Sequence, residues 1–411
     1  MKDAIKAGLY VAGALGAALA PQRGFAEGCP APKTANDIVA CAIQRGPEVM
    51  RSQGEAAYSN TQVEAAGQFE NPELEADYAR AGGESETSLS LQMPVRSLLT
   101  RSTKQDSAVA AKEASEAAFE GTKAQAKIQA ILNLYRLKQI GREKSLIDES
   151  LQTFNKLTRQ YAARPQLAPE QEIALSVFRV AVNDYQLQKA SLQEEENRLQ
   201  TWFSSNTGFS LDQVRQALPG DLKSWPSPSA SSRVAPAPEL KGAKAELLRA
   251  RGDQRLARQE SWPDLKIGPS LRMTNTPTGR TSTWGAALSL PLPLFSLNGG
   301  NRASAAQAVS NAEVNVRLIE NEVEVRKREL MASYEGATEA LRESISLDEV
   351  HKKHERLEAL FLRGVVNSSL VIESHRQLVD LERSKNEKEL TALQSLWSLR
   401  ALNGRIFEES L

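Results

Sequence analysis

Residues 73–95 read ELEADYARAGGESETSLSLQMPV. Leu74, Ala76 and Tyr78 alternate with Glu73, Glu75 and Asp77, and Leu89, Leu91, Met93 and Val95 alternate with Ser88, Ser90 and Gln92. Period two is the signature of a strand with one apolar and one polar face. Gly82-Gly83-Glu84 between the two runs makes them an antiparallel hairpin. A second hairpin is expected over 264–294, where Leu265, Ile267, Leu271 and Met273 stand against Lys266, Gly268, Ser270 and Arg272. On its return strand Trp284, Ala286, Leu288, Leu290 and Leu292 stand against Thr283, Gly285, Ala287 and Ser289, with Thr274 to Arg280 as the tip. Such strands suit a transmembrane barrel that is apolar outside and wet inside, although an ordinary half-buried sheet shows the same alternation. Four strands cannot close a barrel, so closure needs several copies of the chain. Leu290→Lys should then impair membrane assembly, and Ser289→Lys should be tolerated.

Each hairpin opens a long helical segment. From about Thr100 to Tyr161 there is no Pro and almost no Gly, which predicts a helix of about 90 Å at 1.5 Å per residue. It returns after Ala162 to Pro169 in a second helix, so a helical hairpin spans 100–206. The second half repeats this over 302–403, with one helix expected from Arg302 to Leu362, a turn at Arg363-Gly364-Val365-Val366-Asn367, and a return helix. Apolar residues at helical spacing (Ile128, Ile131, Tyr135; Phe154, Leu157, Tyr161; Ile173, Val177, Val180) face Gln, Lys, Glu and Ser, the pattern of amphipathic antiparallel coiled pairs.

The halves are copies. Pro47-Glu48-Val49 is answered by Pro238-Glu239-Leu240, and Asn71-Pro72-Glu73-Leu74 by Trp262-Pro263-Asp264-Leu265, both at an offset of 191. Leu89 to Val95 matches Leu288 to Leu294, and the Gly208 helix end matches that at Gly404. The expected organisation is a leader over 1–26, a first repeat over 27–222, a Pro/Ser-rich linker over 223–237 and a second repeat over 238–411.

Composition agrees with an elongated helical molecule. The 411 residues carry 51 Lys plus Arg against 51 Asp plus Glu, which removes the cationic excess a nucleic-acid binder uses. Aromatics are 5%, and the apolar fraction is rich in Ala, which favours small-residue helix packing over an aromatic core. A core of the usual kind is not expected within one chain. Lys2 and Lys6 precede the weakly apolar run Ala7 to Ala20, too short to span a bilayer and typical of a secretory leader, with cleavage expected near Ala26. In an oxidising compartment Cys29 and Cys41 are expected to pair; unpaired thiols and acylation of Cys29 are the alternatives, the latter opposed by Glu27.

No Ser/His/Asp or Cys/His arrangement is visible, no cofactor or metal site is implied, and the expectation is a protein that is not an enzyme. His351 and His354 stand three apart, a spacing that can hold a metal, but Lys352, Lys353 and Arg356 surround them and favour a solvated basic face. His375 reads as helix surface. Trp262 and Trp284 are candidate membrane-interface anchors.

Leader, duplicated halves, an alternating hairpin opening each helical hairpin, Phe361-Leu-Arg-Gly364 followed by Ser368-Ser-Leu-Val-Ile-Glu-Ser374, and Trp262-Pro-Asp-Leu265 through Leu290-Pro-Leu-Pro-Leu294 together resemble the TolC-like outer-membrane efflux proteins over nearly the whole mature chain. The Asn71 to Gly83 hairpin is similar to the CzcC and CusC type that partners metal-exporting pumps. The resemblance implies a homotrimer whose copies complete a twelve-stranded barrel in outer-membrane lipid, continued by a helical tunnel across the periplasm. It implies passive conduction, with a periplasmic adaptor (membrane fusion) protein and an inner-membrane pump, of the RND type, as partners. Metal cations, drugs or secreted polypeptides would be the cargo. The family's acidic constriction falls on Leu370 and Glu373, of which Glu373 alone keeps a carboxylate. Adaptor docking falls on the turns at Gly364, Val365, Val366 and Asn367 and at Arg164 and Pro165. A periplasmic adaptor or a structural coiled-coil protein is the remoter alternative, one opposed by the duplication and the other by the strands.

Overall fold

The computed structural model describes residues 28–222, 224–227, 236–292, 294, 297–363 and 365–411. The expected leader, most of the Pro/Ser-rich linker, Gly364 and the side chains of His351 and His354 lie outside the described residues. Helices α1 (Ala35–Arg45) and α2 (Pro47–Ala66) precede strands β1 (Glu73–Ala81) and β2 (Glu84–Pro94). Helices α3 (Val95–Ala162), α4 (Pro169–Thr207), α5 (Leu211–Gln216) and α6 (Pro238–Gln259) follow. Strands β3 (Lys266–Thr276) and β4 (Gly279–Ser289) then lead to α7 (Gly299–Glu343), α8 (Leu347–Leu362) and α9 (Ser368–Leu402).

The strands form one antiparallel sheet in the order β1-β2-β3-β4, with both edges unpaired among the described residues. Gly82 and Gly83, at φ 55° and 88°, supply the two positive dihedrals of a tight hairpin turn. The second tip is shorter than expected. The ladder runs to Thr276 opposite Gly279 and leaves Pro277-Thr278 as the turn. The flanking threonines are good strand formers despite their polarity, and Thr276 Oγ1 donates to Gly279 O at 3.0 Å. At Gly268 the β2 backbone comes so close that an added Cβ would lie 1.7 Å from Leu91 O, a contact only glycine permits.

Each strand is continued by one helix. Strand β2 passes into α3 at Pro94 with no intervening loop, five residues earlier than expected, and Val95 N still donates to Leu265 O at 2.8 Å. Below the sheet, α2, α3, α6 and α7 pack side by side in the order of the strands they serve. This layer is closed by small residues: Ala110, Ala117, Ala243 and Ala245 are buried, and Gly252 lies so near Ser107 that an added Cβ would sit 3.1 Å from its Cβ. Further down the neighbours become α4, α3, α9 and α7/α8.

In this lower half the chain does bury a core, contrary to the expectation from composition. Phe154, Phe178, Phe203, Ile131, Leu134, Ile140 and Ile147 are fully buried, because α1 and α9 both pack on α3 here. The expected single helix over 302–362 is broken at Ser344-Ile345-Ser346. Ser344 adopts an extended conformation and its hydroxyl donates to Leu341 O at 2.8 Å, a local competitor of the helix ladder. Lys385 of α9 donates to the freed Ile345 carbonyl at 2.6 Å. Cys29 and Cys41 form a disulfide that ties the chain ahead of α1 to that helix.

Candidate functional site

The strand registers sort the sheet into two faces. The row Ala76, Leu89, Leu271 and Trp284 crosses all four strands on one face, beside Leu74–Leu91 and Ile267–Leu288. The other face carries Glu73, Glu75, Asp77, Glu84, Glu86, Ser88, Ser90 and Gln92, then Lys266, Ser270 and Arg272, then Thr281 and Thr283. Lys266 pairs with Glu73 at 2.7 Å and Arg272 with Glu86 at 3.0 Å. Glu75 accepts from Gln92 at 2.8 Å and Asp77 from Ser88 at 3.2 Å, neutral donors that leave their charge in place. Five carboxylates against two cations make this face anionic. Leu290 lies one residue past the end of β4, so the strongest test of facing moves to Leu271.

Trp262 and Trp284 are both three-quarters exposed but stand at different levels. Trp262 lies at the base of the sheet, lining a cavity of about 610 Å³ with Val95, Arg96, Leu99, Arg258 and Leu265. Trp284 stands midway along β4, five residues from each end.

The far end of the helices brings the two turns together. Tyr161, at the end of α3, packs edge-on against Phe178 of α4, which in turn meets Phe361 at the end of α8. Arg164 stacks on Tyr161 at 5.0 Å, with Pro165 beside it in the bend. On the other turn Val365 is exposed, Val366 partly buried, and the Asn367 side chain caps α9 by accepting from Leu370 N at 3.1 Å. Leu370 is half exposed. Glu373 accepts from Arg376 at 2.7 and 2.9 Å and from Gln377 at 2.8 Å, and these hydrogen bonds hold its carboxyl below the ordinary value. Its charge is therefore locally compensated.

His375 is a correction. It is buried, not on the helix surface: its ring lies 4.9 Å from that of Phe154, and its Nδ1 is 3.0 Å from Ser150 Oγ. Ser150 Oγ also reaches Leu146 O at 2.9 Å, so the imidazole sits in a buried hydrogen-bonded cluster between α3 and α9.

Halfway along the helices lies a polar network hidden among apparently solvent-facing charges. Arg136 of α3 donates to Glu143 at 2.7 Å and, through two nitrogens, to Glu195 of α4 at 2.7 Å each. Glu143, almost wholly buried, also accepts from Asn386 of α9 at 2.8 Å. Burial alone would lower Arg136; its hydrogen bonds to Glu195 and Glu143 outweigh that and raise it, and Glu195 is lowered in turn. Lys138 ties in the segment after α5 through Pro219 O at 3.0 Å and Asp221 at 2.6 Å, and Tyr334 holds Pro226 O at 2.5 Å. Lys127 holds the C-terminal tail through the carbonyls of Ile406 and Glu409 at 2.7 Å each. These segments form a belt around the middle of the helices.

Glu382 is the strained member. It is buried, Arg142 Nε lies 3.3 Å from its Oε1 without the alignment of a hydrogen bond, and burial pushes its carboxyl above the ordinary value although Arg142 opposes this. A group raised in the folded state lends stability below its unfolded value, about 4.3 for Glu, and loses it as pH rises through the folded value. Glu382→Gln is therefore expected to raise Tm by about 2–4 °C at pH 7.5 and to leave it unchanged at pH 4. Thermal denaturation at both values decides, and an equal shift would remove burial as the cause.

This arrangement of sheet, helices and belt is found in known proteins. The Campylobacter jejuni CmeC outer membrane channel superposes with a TM-score of 0.71 at 12% identity, covering 90% of this chain and 86% of that one. The Vibrio cholerae outer membrane protein VceC gives 0.69 at 13% identity, over 90% of this chain and 96% of that one. The fold is that of the TolC-like outer-membrane channels. CusC, described for its folding and transmembrane channel formation, shares it with a TM-score of 0.64 at 14% identity over 93% of this chain and 95% of that one. No protein-family model and no curated protein sequence matches the chain. Among the described residues no helix is long and apolar enough to cross a membrane; in a TolC-like fold the strands do so.

Proposed function

We propose that three copies of this chain close a twelve-stranded barrel in the outer membrane and conduct solutes passively through it from a helical tunnel in the periplasm. The observation that carries this reading is the sheet: one face is apolar across all four strands, the other is polar, and both edges are open. An open edge invites pairing, and a closed barrel removes it. Exposed apolar residues on the outermost helices, Ile173, Val180 and Leu187 on α4 and Leu318 on α7, supply the seams between copies. A periplasmic adaptor would dock on the turns around Arg164-Pro165 and Val365-Val366-Asn367 and couple the duct to an inner-membrane pump of the RND type.

The anionic sheet face supports cations, heavy-metal ions among them, as favoured solutes. Planar bilayers with a salt gradient test both parts. The protein should give channels whose reversal potential has the sign of cation preference, and Glu75→Gln/Asp77→Asn should move it toward zero. Absence of conductance would defeat the channel reading, and an unmoved reversal potential would defeat the role of the sheet.

A further inference from the structure

The apolar face of the sheet does not stay apolar to its end. One row before the hairpin tips, Arg80 of β1 stands opposite Ser85 of β2, Ser85 opposite Asn275 of β3, and Asn275 opposite Arg280 of β4. The register places all four on the face that carries Ala76, Leu89, Leu271 and Trp284, four residues nearer the tips. Neither arginine has an ion pair among the described residues, and both are exposed; Arg280 makes a 3.5 Å contact with Met273 Sδ. The carboxylates at this level, Glu84 and Glu86, point to the other face, where Glu86 already holds Arg272. Asn275 Nδ2 reaches Ser85 Oγ at 3.4 Å and joins the two inner members of the row.

Four strands separated by about 4.8 Å put the arginines roughly 14 Å apart across one chain. Closure sets β4 of one copy beside β1 of the next, so Arg280 of one and Arg80 of its neighbour flank the same seam. An uncompensated guanidinium on a lipid-facing surface, at the level where hydrocarbon ends, calls for an anion with its own acyl chains. We propose that the Arg80–Ser85–Asn275–Arg280 row binds the phosphate groups of an outer-leaflet glycolipid, of the lipid A class, whose chains lie along the apolar face below. Guanidinium forks match phosphate oxygens in charge and geometry, while Ser85 and Asn275 offer hydrogen bonds to the sugar between them. This inference rests on the membrane-barrel reading.

The test uses the purified, membrane-extracted oligomer, first shown to be intact and conducting, and measures binding of lipid A, dephosphorylated lipid A and inorganic phosphate by native mass spectrometry. Lipid A should bind at least about tenfold more tightly than its dephosphorylated form, and inorganic phosphate should not be retained. Arg80→Gln/Arg280→Gln should erase the preference, and Arg272→Gln, which removes a cation from the other face, should keep it. Equal affinity of the wild type for the two lipids overturns the proposal without any variant, as does a preference that survives the double substitution. Retention of inorganic phosphate alone would show an anion site that is not a lipid site, and overturns it too. A protein that never enters a membrane would instead refute the barrel.

Discussion

Leu271→Arg is expected to abolish membrane assembly, and Ser270→Arg to leave it intact. Leu271 sits in the central row of the sheet, between Leu89 and Trp284. A cation at the midplane of a barrel's lipid face costs about 2–4 kcal/mol. Three copies would therefore lose about 6–12 kcal/mol, comparable with the whole stability of many folded proteins. Ser270 is the next residue along the strand but turns to the polar face, between Ser90 and Gly285, where the missing side chain of Gly285 leaves room for a guanidinium. The measurement is the fraction of each variant recovered as heat-resistant oligomer from outer membranes. Equal recovery would invert or erase the assignment of faces.

Arg136→Ala is expected to destabilise the helical half by about 3–5 kcal/mol, the cost of leaving a buried charge without its partner. Glu143 is almost wholly buried, and with Arg136 gone it keeps only the amide of Asn386, while Glu195 keeps only the weaker field of Arg198. Denaturant unfolding followed by circular dichroism gives the loss. A second variant isolates the mechanism: Arg136→Ala/Glu143→Gln should recover part of the loss, because it removes the stranded charge. If the double variant is no better than the single one, the loss comes from packing of the arginine stem.

The strands were readable because their chemistry alternates at the shortest period a chain can show, and the hairpin of 73–95 lies within two residues of its expected ends. The second tip is shorter than polarity suggests because Thr274 and Thr276 look like loop residues by polarity and behave as strand residues by shape. The helix break at Ser344-Ile345-Ser346 carries no Pro or Gly; its cause is a serine side chain competing for a carbonyl, stabilised by Lys385 from 40 residues away. The burial of His375 has a signal in the sequence: it is four residues after Val371 and three before Leu378, on the buried stripe of α9. The charges of the belt were illegible for a deeper reason. Arg136, Glu143, Glu195 and Asn386 come from three helices, and nothing local distinguishes a buried Glu from a solvated one until α3, α4 and α9 are packed. The polar face of the sheet lay in between: Glu73, Glu75 and Asp77 reveal its polarity in sequence, but its net charge emerges only once β3 is in register with β2.

The proposed barrel takes four strands from each chain and is completed by three copies. Native mass spectrometry of the protein extracted from outer membranes in detergent tests it most directly. A complex of three chains that falls apart when Leu271→Arg is introduced is expected; a single chain, or a complex of two, extracted from the membrane in stable form would contradict it.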